Sequence, residues 1–137
     1  LDVFDYHRLH APCDGTVLER KTIEGIHAGG GVIIWDEAQG RYRYEQCGVT
    51  DFQMLETRGV LIIDTHAYGK IAIVPVGVQQ VSSVQWTFTN HQSPLMLRQG
   101  DELGYFLFGG SDVVLFFEPG RVPQISPKSV KAGEKID

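Results

Sequence analysis

Residues 60–76 read VLIIDTHAYGKIAIVPV, two apolar runs that flank a short polar segment. β-branched residues dominate both runs, and Tyr68-Gly69 between them is typical of a turn. We therefore predict neighbouring strands at 60–63 and 71–76, and the second, apolar on both faces, should be buried. Pro75 has no backbone N–H, which places the second strand at a sheet edge or at a bulge.

Strand signals continue on both sides of this pair, at residues 16–23, 32–35, 78–88, 103–108 and 113–117. Residues 41–55 carry weak strand and helix signals alike, and no long amphipathic helix is evident. We predict a mainly β fold, a layered or barrel-like assembly of antiparallel or mixed sheets with few short helices. All 137 residues should form one domain.

Composition limits the classes of protein. Hydrophobic residues make up 42% of the chain and charged residues 21%, which suits a folded domain with its own core. The formal net charge of −5 gives no sign of a nucleic-acid partner. The first residues resemble the middle of a domain, so we expect a fragment of a longer protein. Cys13 and Cys47 should be free thiols in a reducing compartment rather than a disulfide.

Two short motifs carry residues suited to chemistry. In Gly109-Gly110-Ser111-Asp112, the glycines permit unusual backbone angles and give a hydroxyl access to the preceding carbonyl. The alternative is a β-hairpin turn. His7 and His10 would share a helix face, or take opposite faces of a strand. They suit acid–base chemistry or packing, and no third His or Cys stands at a zinc-like spacing, so no metal is expected.

Four stretches, in order and with matching spacing, resemble motifs of the phosphatidylserine decarboxylase family. Residues 5–15 read DYHRLHAPCDG and resemble the family's DYHR-x-H-x-P-x-(N/D)-G segment. Residues 56–60 resemble its N-E-R stretch. Residues 64–84 resemble its DT-x-x-G and VGA-x-x-VGSI block, with Ser82 replacing a glycine. Residues 99–111 resemble its KG-x-E-x-G-x-F-x-x-GS segment.

The resemblance implies a self-processing decarboxylase. In that family, the serine of the Gly-Ser motif attacks the carbonyl of the preceding glycine, and the ester that forms then eliminates. Carried over, the chain splits between Gly110 and Ser111 into a β chain of residues 1–110 and an α chain of residues 111–137. Ser111 becomes a pyruvoyl group, the cofactor that decarboxylates the serine headgroup of phosphatidylserine to give phosphatidylethanolamine.

The resemblance also implies roles for the two histidines. His10 matches the base that activates the serine, and its orienting acid lies in an upstream segment outside this sequence. His7 matches the histidine of the decarboxylation step, which returns a proton to the α-carbon of the substrate after carbon dioxide has left. Candidates for lining the pocket are three aromatic residues, for each of which core packing is the favoured alternative: Trp86, Phe106 and Phe108. Asp112 departs from the family's Thr or Ser; its charge should disfavour a nearby oxyanion, or its carboxylate could instead orient a base.

The sequence leaves the substrate open. A soluble decarboxylase of free aromatic amino acids, such as tryptophan, is one alternative, and a silent relative that no longer cleaves is another. A metal-dependent hydrolase that uses His7 and His10 is a third and the least favoured. The expected partners are phosphatidylserine or a free amino acid and the two chains of one precursor, with a membrane surface and a homodimer as further candidates. Localisation is open between the cytoplasm and a membrane.

Overall fold

The computed structural model of the chain describes residues 1, 5–26, 31–46, 52–78, 83–88, 94–107 and 110–134. These residues form ten strands and one 3₁₀ turn, and each strand pairing is antiparallel, which confirms the mainly β prediction. The elements are β1 Arg8–His10, β2 Gly15–Ile23, β3 Gly31–Asp36, β4 Arg41–Gln46, the 3₁₀ turn Phe52–Met54, β5 Arg58–Thr65, β6 Gly69–Gly77, β7 Gln85–Trp86, β8 Met96–Leu97, β9 Glu102–Tyr105 and β10 Ser111–Phe117.

The strands form three sheets. The largest has five strands in the order β10-β6-β5-β2-β8, and a second has three in the order β1-β9-β7. The third is the hairpin of β3 and β4. Strands β9 and β10 are neighbours along the chain but belong to different sheets, so the segment between them crosses from one sheet to the other.

The core lies between the five-stranded and the three-stranded sheet. Burial alternates along β5, where Leu61 and Ile63 face inward, as the period of a strand requires. Ile71 and Ile73 of β6 lie beside them, and Leu103 of β9 packs against this cluster from the other sheet. These five side chains are at most 1% exposed. Burying an aliphatic side chain of this size contributes about 1.5–3 kcal/mol, so this cluster holds the two sheets together.

Pro75 lies in the interior of the large sheet, so the edge position predicted for it is wrong. Strand β6 runs between β10 and β5, and Pro75 is opposite Val113 of β10. On the β5 side, paired residues are interrupted between Arg58↔Val76 and Leu61↔Ile73. The sheet accommodates the proline because the ladder to β5 is incomplete where the backbone N–H is missing.

Two further sequence expectations are corrected. The β-hairpin alternative for residues 109–112 is wrong, because β9 pairs with β1 and β7 while β10 pairs with β6. The strand predicted at 78–88 is reduced to Gln85–Trp86, although residues 79–82 lie outside the described ones. Strand β4 was not predicted, since its alternating Arg and Tyr residues lie on a largely exposed hairpin rather than over the core.

Cys13 is half-buried against the core, and Cys47 lies outside the described residues. Burial, and then the charge of Asp14, raises the pKa of the Cys13 thiol. No helix in the described part of the chain has the length and apolarity to cross a membrane.

Candidate active site

Ser111 begins β10 and lies where the two larger sheets meet. It pairs with Gly77 at the end of β6, and its side chain is buried, with the residue only 1% exposed. Its Oγ lies 2.9 Å from Nδ1 of His7, which is 104 residues away in sequence. His7 directly precedes β1 of the three-stranded sheet. The crossing from β9 to β10 therefore brings the predicted nucleophile to a histidine of the other sheet.

Hydrogen bonds hold Gly110 at both its N–H and its carbonyl oxygen. Gly110 has a φ of 84°, in the left-handed region that favours glycine. Its N–H donates to Nε2 of His7 at 3.2 Å, and its carbonyl oxygen accepts from the backbone N–H of Val78 at 3.2 Å. The Gly110–Ser111 bond is thus presented in one conformation beside the hydroxyl that is predicted to attack it.

The hydrogen bonds of His7 determine which of its ring nitrogens carries the proton. The Gly110 N–H can only donate, so Nε2 must supply a lone pair. In the neutral imidazole the proton then sits on Nδ1, and Nδ1–H donates to Ser111 Oγ. In this state His7 is a proton donor toward residue 111. It could accept the serine proton only in the other tautomer. In that tautomer two donors, the Nε2–H of His7 and the N–H of Gly110, would face each other.

Phe106 forms an apolar wall beside His7. The two rings meet edge to face, with centroids 6.5 Å apart and planes at 84°, and Phe106 is buried. The backbone N–H of Phe106 also donates to the carbonyl oxygen of His7 at 3.1 Å. Trp86, another predicted lining residue, packs on the cluster of Val84 and Phe106. Phe108, the third, lies outside the described residues.

His10 takes a different position from His7. Its ring is exposed, with Nδ1 2.8 Å from the Gly100 carbonyl oxygen and Nε2 2.8 Å from the Tyr6 hydroxyl. The Gly100 carbonyl oxygen can only accept, so Nδ1 carries the proton and the Tyr6 hydroxyl donates to Nε2. His7 is half-buried and His10 is exposed, and the structure brings His7, but not His10, to Ser111. The role of His10 as a base stays a prediction.

The Asp112 carboxylate is directed away from the Ser111 hydroxyl. Ser111 and Asp112 are consecutive in β10, so their side chains take opposite faces of the strand. Oδ2 of Asp112 accepts a hydrogen bond from Gln53 Nε2 at 3.0 Å. This geometry weakens the expectation that the charge of Asp112 opposes chemistry at Ser111. Gln53 was missed because it lies in the stretch 41–55, whose pattern was unclear.

Parts of the family-like stretches meet at this place, whereas Thr65 and Gly69 lie at the opposite end of β5 and β6. Thr57, in the stretch that resembles N-E-R, accepts the N–H of Gly77 on its carbonyl oxygen at 3.0 Å, and Gly77 pairs with Ser111.

Within the described residues, no group of three or more His, Cys, Asp or Glu could hold a metal ion. Backbone donors such as the Val78 N–H were also missed, since a main-chain amide leaves no signature in residue type.

Replacing Gly110 with Ala tests the backbone conformation at this bond. An L-residue in the left-handed region costs roughly 1–2 kcal/mol, and relief of that strain would move the carbonyl from the Val78 N–H. We expect slower cleavage at 110–111, measured by mass spectrometry, and a lower free energy of unfolding. Gly133, with a φ of 85° and open space at its Cβ position, provides the matched control. Equal cleavage rates in the two Ala variants would contradict the role of Gly110.

Comparison with known proteins supports the family resemblance seen in the motifs. The family model described as phosphatidylserine decarboxylase matches residues 1–137. A phosphatidylserine decarboxylase proenzyme of Fusobacterium nucleatum is 32% identical over 121 residues, which cover 86% of this chain and 35% of that protein. No solved structure gives a significant match.

Eukaryotic relatives match the same region. Phosphatidylserine decarboxylase proenzyme 2 of Komagataella phaffii is 31% identical over 133 residues, 97% of this chain and 12% of that protein. Proenzyme 2 of Oryza sativa subsp. japonica is 34% identical over 118 residues, 86% of this chain and 17% of the relative. The chain thus spans about a third of the length of the bacterial relative and a smaller share of these two.

Proposed function

Because this chain belongs to the phosphatidylserine decarboxylase family, we propose that it forms the self-cleaving, pyruvoyl-generating part of an enzyme that decarboxylates phosphatidylserine. The match over 1–137 supports the family chemistry, and the printed names of the relatives support the lipid substrate and a proenzyme. Ser111 is the proposed nucleophile and cofactor precursor, and Gly110 supplies the carbonyl that is attacked.

The observation that carries this proposal is the setting of the Gly110–Ser111 bond. The serine hydroxyl is buried, hydrogen-bonded to a histidine, and adjacent to a carbonyl whose residue has a left-handed φ. A buried hydroxyl in such a place is suited to attack the preceding carbonyl. Neither a packing role for Ser111 nor a simple turn requires this combination of contacts.

The residues around Ser111 fit a pyruvoyl group. A pyruvoyl group supplies an electron sink for the charge left on the α-carbon when carbon dioxide departs. Residue 111 is 1% exposed, so water has little access to it. The Nδ1–H of His7, 2.9 Å from Oγ, is a donor aimed at this side chain. We assign His7 the return of a proton to the α-carbon, with Phe106 excluding water beside it.

We assign His10 the base of the cleavage step, as the resemblance implies. To reach Ser111, His10 must exchange its bonds to the Tyr6 hydroxyl and the Gly100 carbonyl for other partners. The tautomer of His7 supports this division of roles, since His7 has no lone pair directed at the hydroxyl. The variants that separate the two histidines are described in the Discussion.

The two chains produced by cleavage should remain associated. Strand β10 begins at Ser111 and pairs with β6 from Ser111↔Gly77 to Phe117↔Ile71. An α chain of residues 111–137 is therefore held to the β chain along the whole of this strand. Half-buried Leu115 and Phe117 add packing against the core.

An intact mass of the full-length protein under denaturing conditions tests the proposal. We expect two fragments that divide between Gly110 and Ser111, with the smaller one lacking a free amine at its start. Incubation with phosphatidylserine vesicles should release carbon dioxide, and incubation with free serine or tryptophan should not. A single uncut mass would leave the silent relative as the correct alternative, and turnover of free amino acids alone would identify the soluble decarboxylase.

A further inference from the structure

The backbone N–H of Val78 points at the carbonyl oxygen of Gly110, at 3.2 Å. Val78 directly follows β6, and its residue is 6% exposed, so the bond lies away from solvent. This contact extends the β6–β10 pairing by one residue beyond Ser111↔Gly77. It thus joins the interior of the large sheet to the oxygen of the peptide bond at which cleavage is proposed.

We propose that the Val78 amide stabilises the oxyanion that forms on the Gly110 oxygen during self-cleavage. This inference rests on the proposed function. When Ser111 Oγ bonds to the Gly110 carbon, the π electron pair of the carbonyl moves onto that oxygen. The pair then returns as the bond to the Ser111 nitrogen breaks, and the proton from Oγ passes through the base to that nitrogen. The peptide becomes an ester with no atom gained or lost.

A donor in this position favours the transition state over the starting peptide. The distance of 3.2 Å is long for a bond to a neutral carbonyl, while a charged oxygen accepts shorter and stronger bonds. The bond therefore gains strength as charge develops on the oxygen. Because the site is buried, this gain is larger than it would be in water.

The Val78 amide is fixed before the reaction starts. The N–H of Gly77, the preceding residue, is bonded to the Thr57 carbonyl oxygen at 3.0 Å, which holds the end of β6 against β5. A Cβ at Gly77 would lie 2.5 Å from the backbone nitrogen of Ser83, so the chain is closely packed there. A donor on such a rigid element needs little reorganisation during the reaction, which is the condition for effective oxyanion stabilisation.

Gly110 is oriented by contacts on both sides of its carbonyl. Its left-handed φ sets the direction of the C=O, and its own N–H is anchored on Nε2 of His7. The oxygen faces Val78, while the hydroxyl of Ser111 faces His7. Val78 contacts the carbonyl oxygen of Gly110, whereas His7 contacts the Gly110 N–H and the Ser111 hydroxyl, so the donor proposed for the oxyanion is a different group from either histidine.

An amide-to-ester exchange tests this role in the full-length protein. Incorporating the α-hydroxy acid analogue of valine at position 78 removes the N–H and keeps the side chain. We expect cleavage at 110–111 to slow by about 10²–10³-fold, the effect of losing one oxyanion donor. The same analogue at Val17, whose N–H donates to the Leu95 carbonyl oxygen at 2.9 Å, is the matched control and should cleave at the parent rate.

Rates are measured by mass spectrometry and expressed per folded molecule, from near-ultraviolet circular dichroism of the same samples. Slow cleavage at position 78 alone supports the inference. Cleavage of the position-78 ester at the parent rate overturns the inference and leaves the proposed function standing, as does equal slowing of both esters. A parent protein that stays uncut overturns the proposed function itself, and this inference with it.

Discussion

Replacing Ser111 with Ala is expected to leave the chain uncut between residues 110 and 111 and without decarboxylase activity. The change removes the proposed nucleophile, without which neither the ester nor the pyruvoyl group that follows from its elimination can form, so the loss should be complete. Intact mass should show a single chain, and carbon dioxide release from phosphatidylserine should fall to background. The Nδ1–H of His7 would lose its partner, at a cost of roughly 1–3 kcal/mol in stability, so thermal unfolding is measured in parallel.

Two variants make the Ser111 result specific. Ser111→Cys keeps a nucleophile at the same place and should retain partial cleavage, because a thiol can attack the Gly110 carbonyl in the same way. The Ser83 hydroxyl accepts its hydrogen bond from the Leu107 N–H and not from His7, so Ser83→Ala protein should cleave normally. Decarboxylation by uncut Ser111→Ala protein would rule out the pyruvoyl mechanism.

The fold could be predicted where local pattern and burial agree. Strands β5 and β6 were predicted because Leu61, Ile63, Ile71 and Ile73 form the core and dominate the local sequence. The position of Pro75 in the sheet interior was not predictable, since which strands flank β6 depends on pairing with a strand about 40 residues later. Long-range pairing of this kind leaves no local periodicity.

The site was predicted in part, through motifs rather than geometry. The resemblance identified Ser111 and both histidines. Which histidine contacts the serine depends on the directions that the two side chains take around β1. His7 and His10 have the same residue type and lie three positions apart, and neither type nor spacing indicates that His7 is half-buried beside Ser111 while His10 is exposed. Asp112 and Gln53 are 59 residues apart, and their hydrogen bond could not be read from either segment.

Replacing His7 with Ala should preserve cleavage while slowing decarboxylation by about 10²–10⁴-fold, the usual contribution of a positioned general acid. In the assigned tautomer His7 donates to Ser111 Oγ, so its loss removes a donor and leaves the serine lone pairs free to react. The measurements are intact mass for cleavage and carbon dioxide release for turnover. Added imidazole, which can occupy the space of the lost ring, should restore part of the turnover.

His10→Ala is the control variant needed to interpret the His7→Ala result. If His10 is the base for cleavage, this variant stays uncut, whereas the His7 variant is cut and slow. An uncut His7→Ala protein beside a normally cut His10→Ala protein would reverse the assignment and make His7 the base. That outcome would require the proton of His7 to move from Nδ1 to Nε2 before attack. The Gly110 N–H opposes this shift, because it would then face another donor, and we therefore expect His7 to act after cleavage rather than during it.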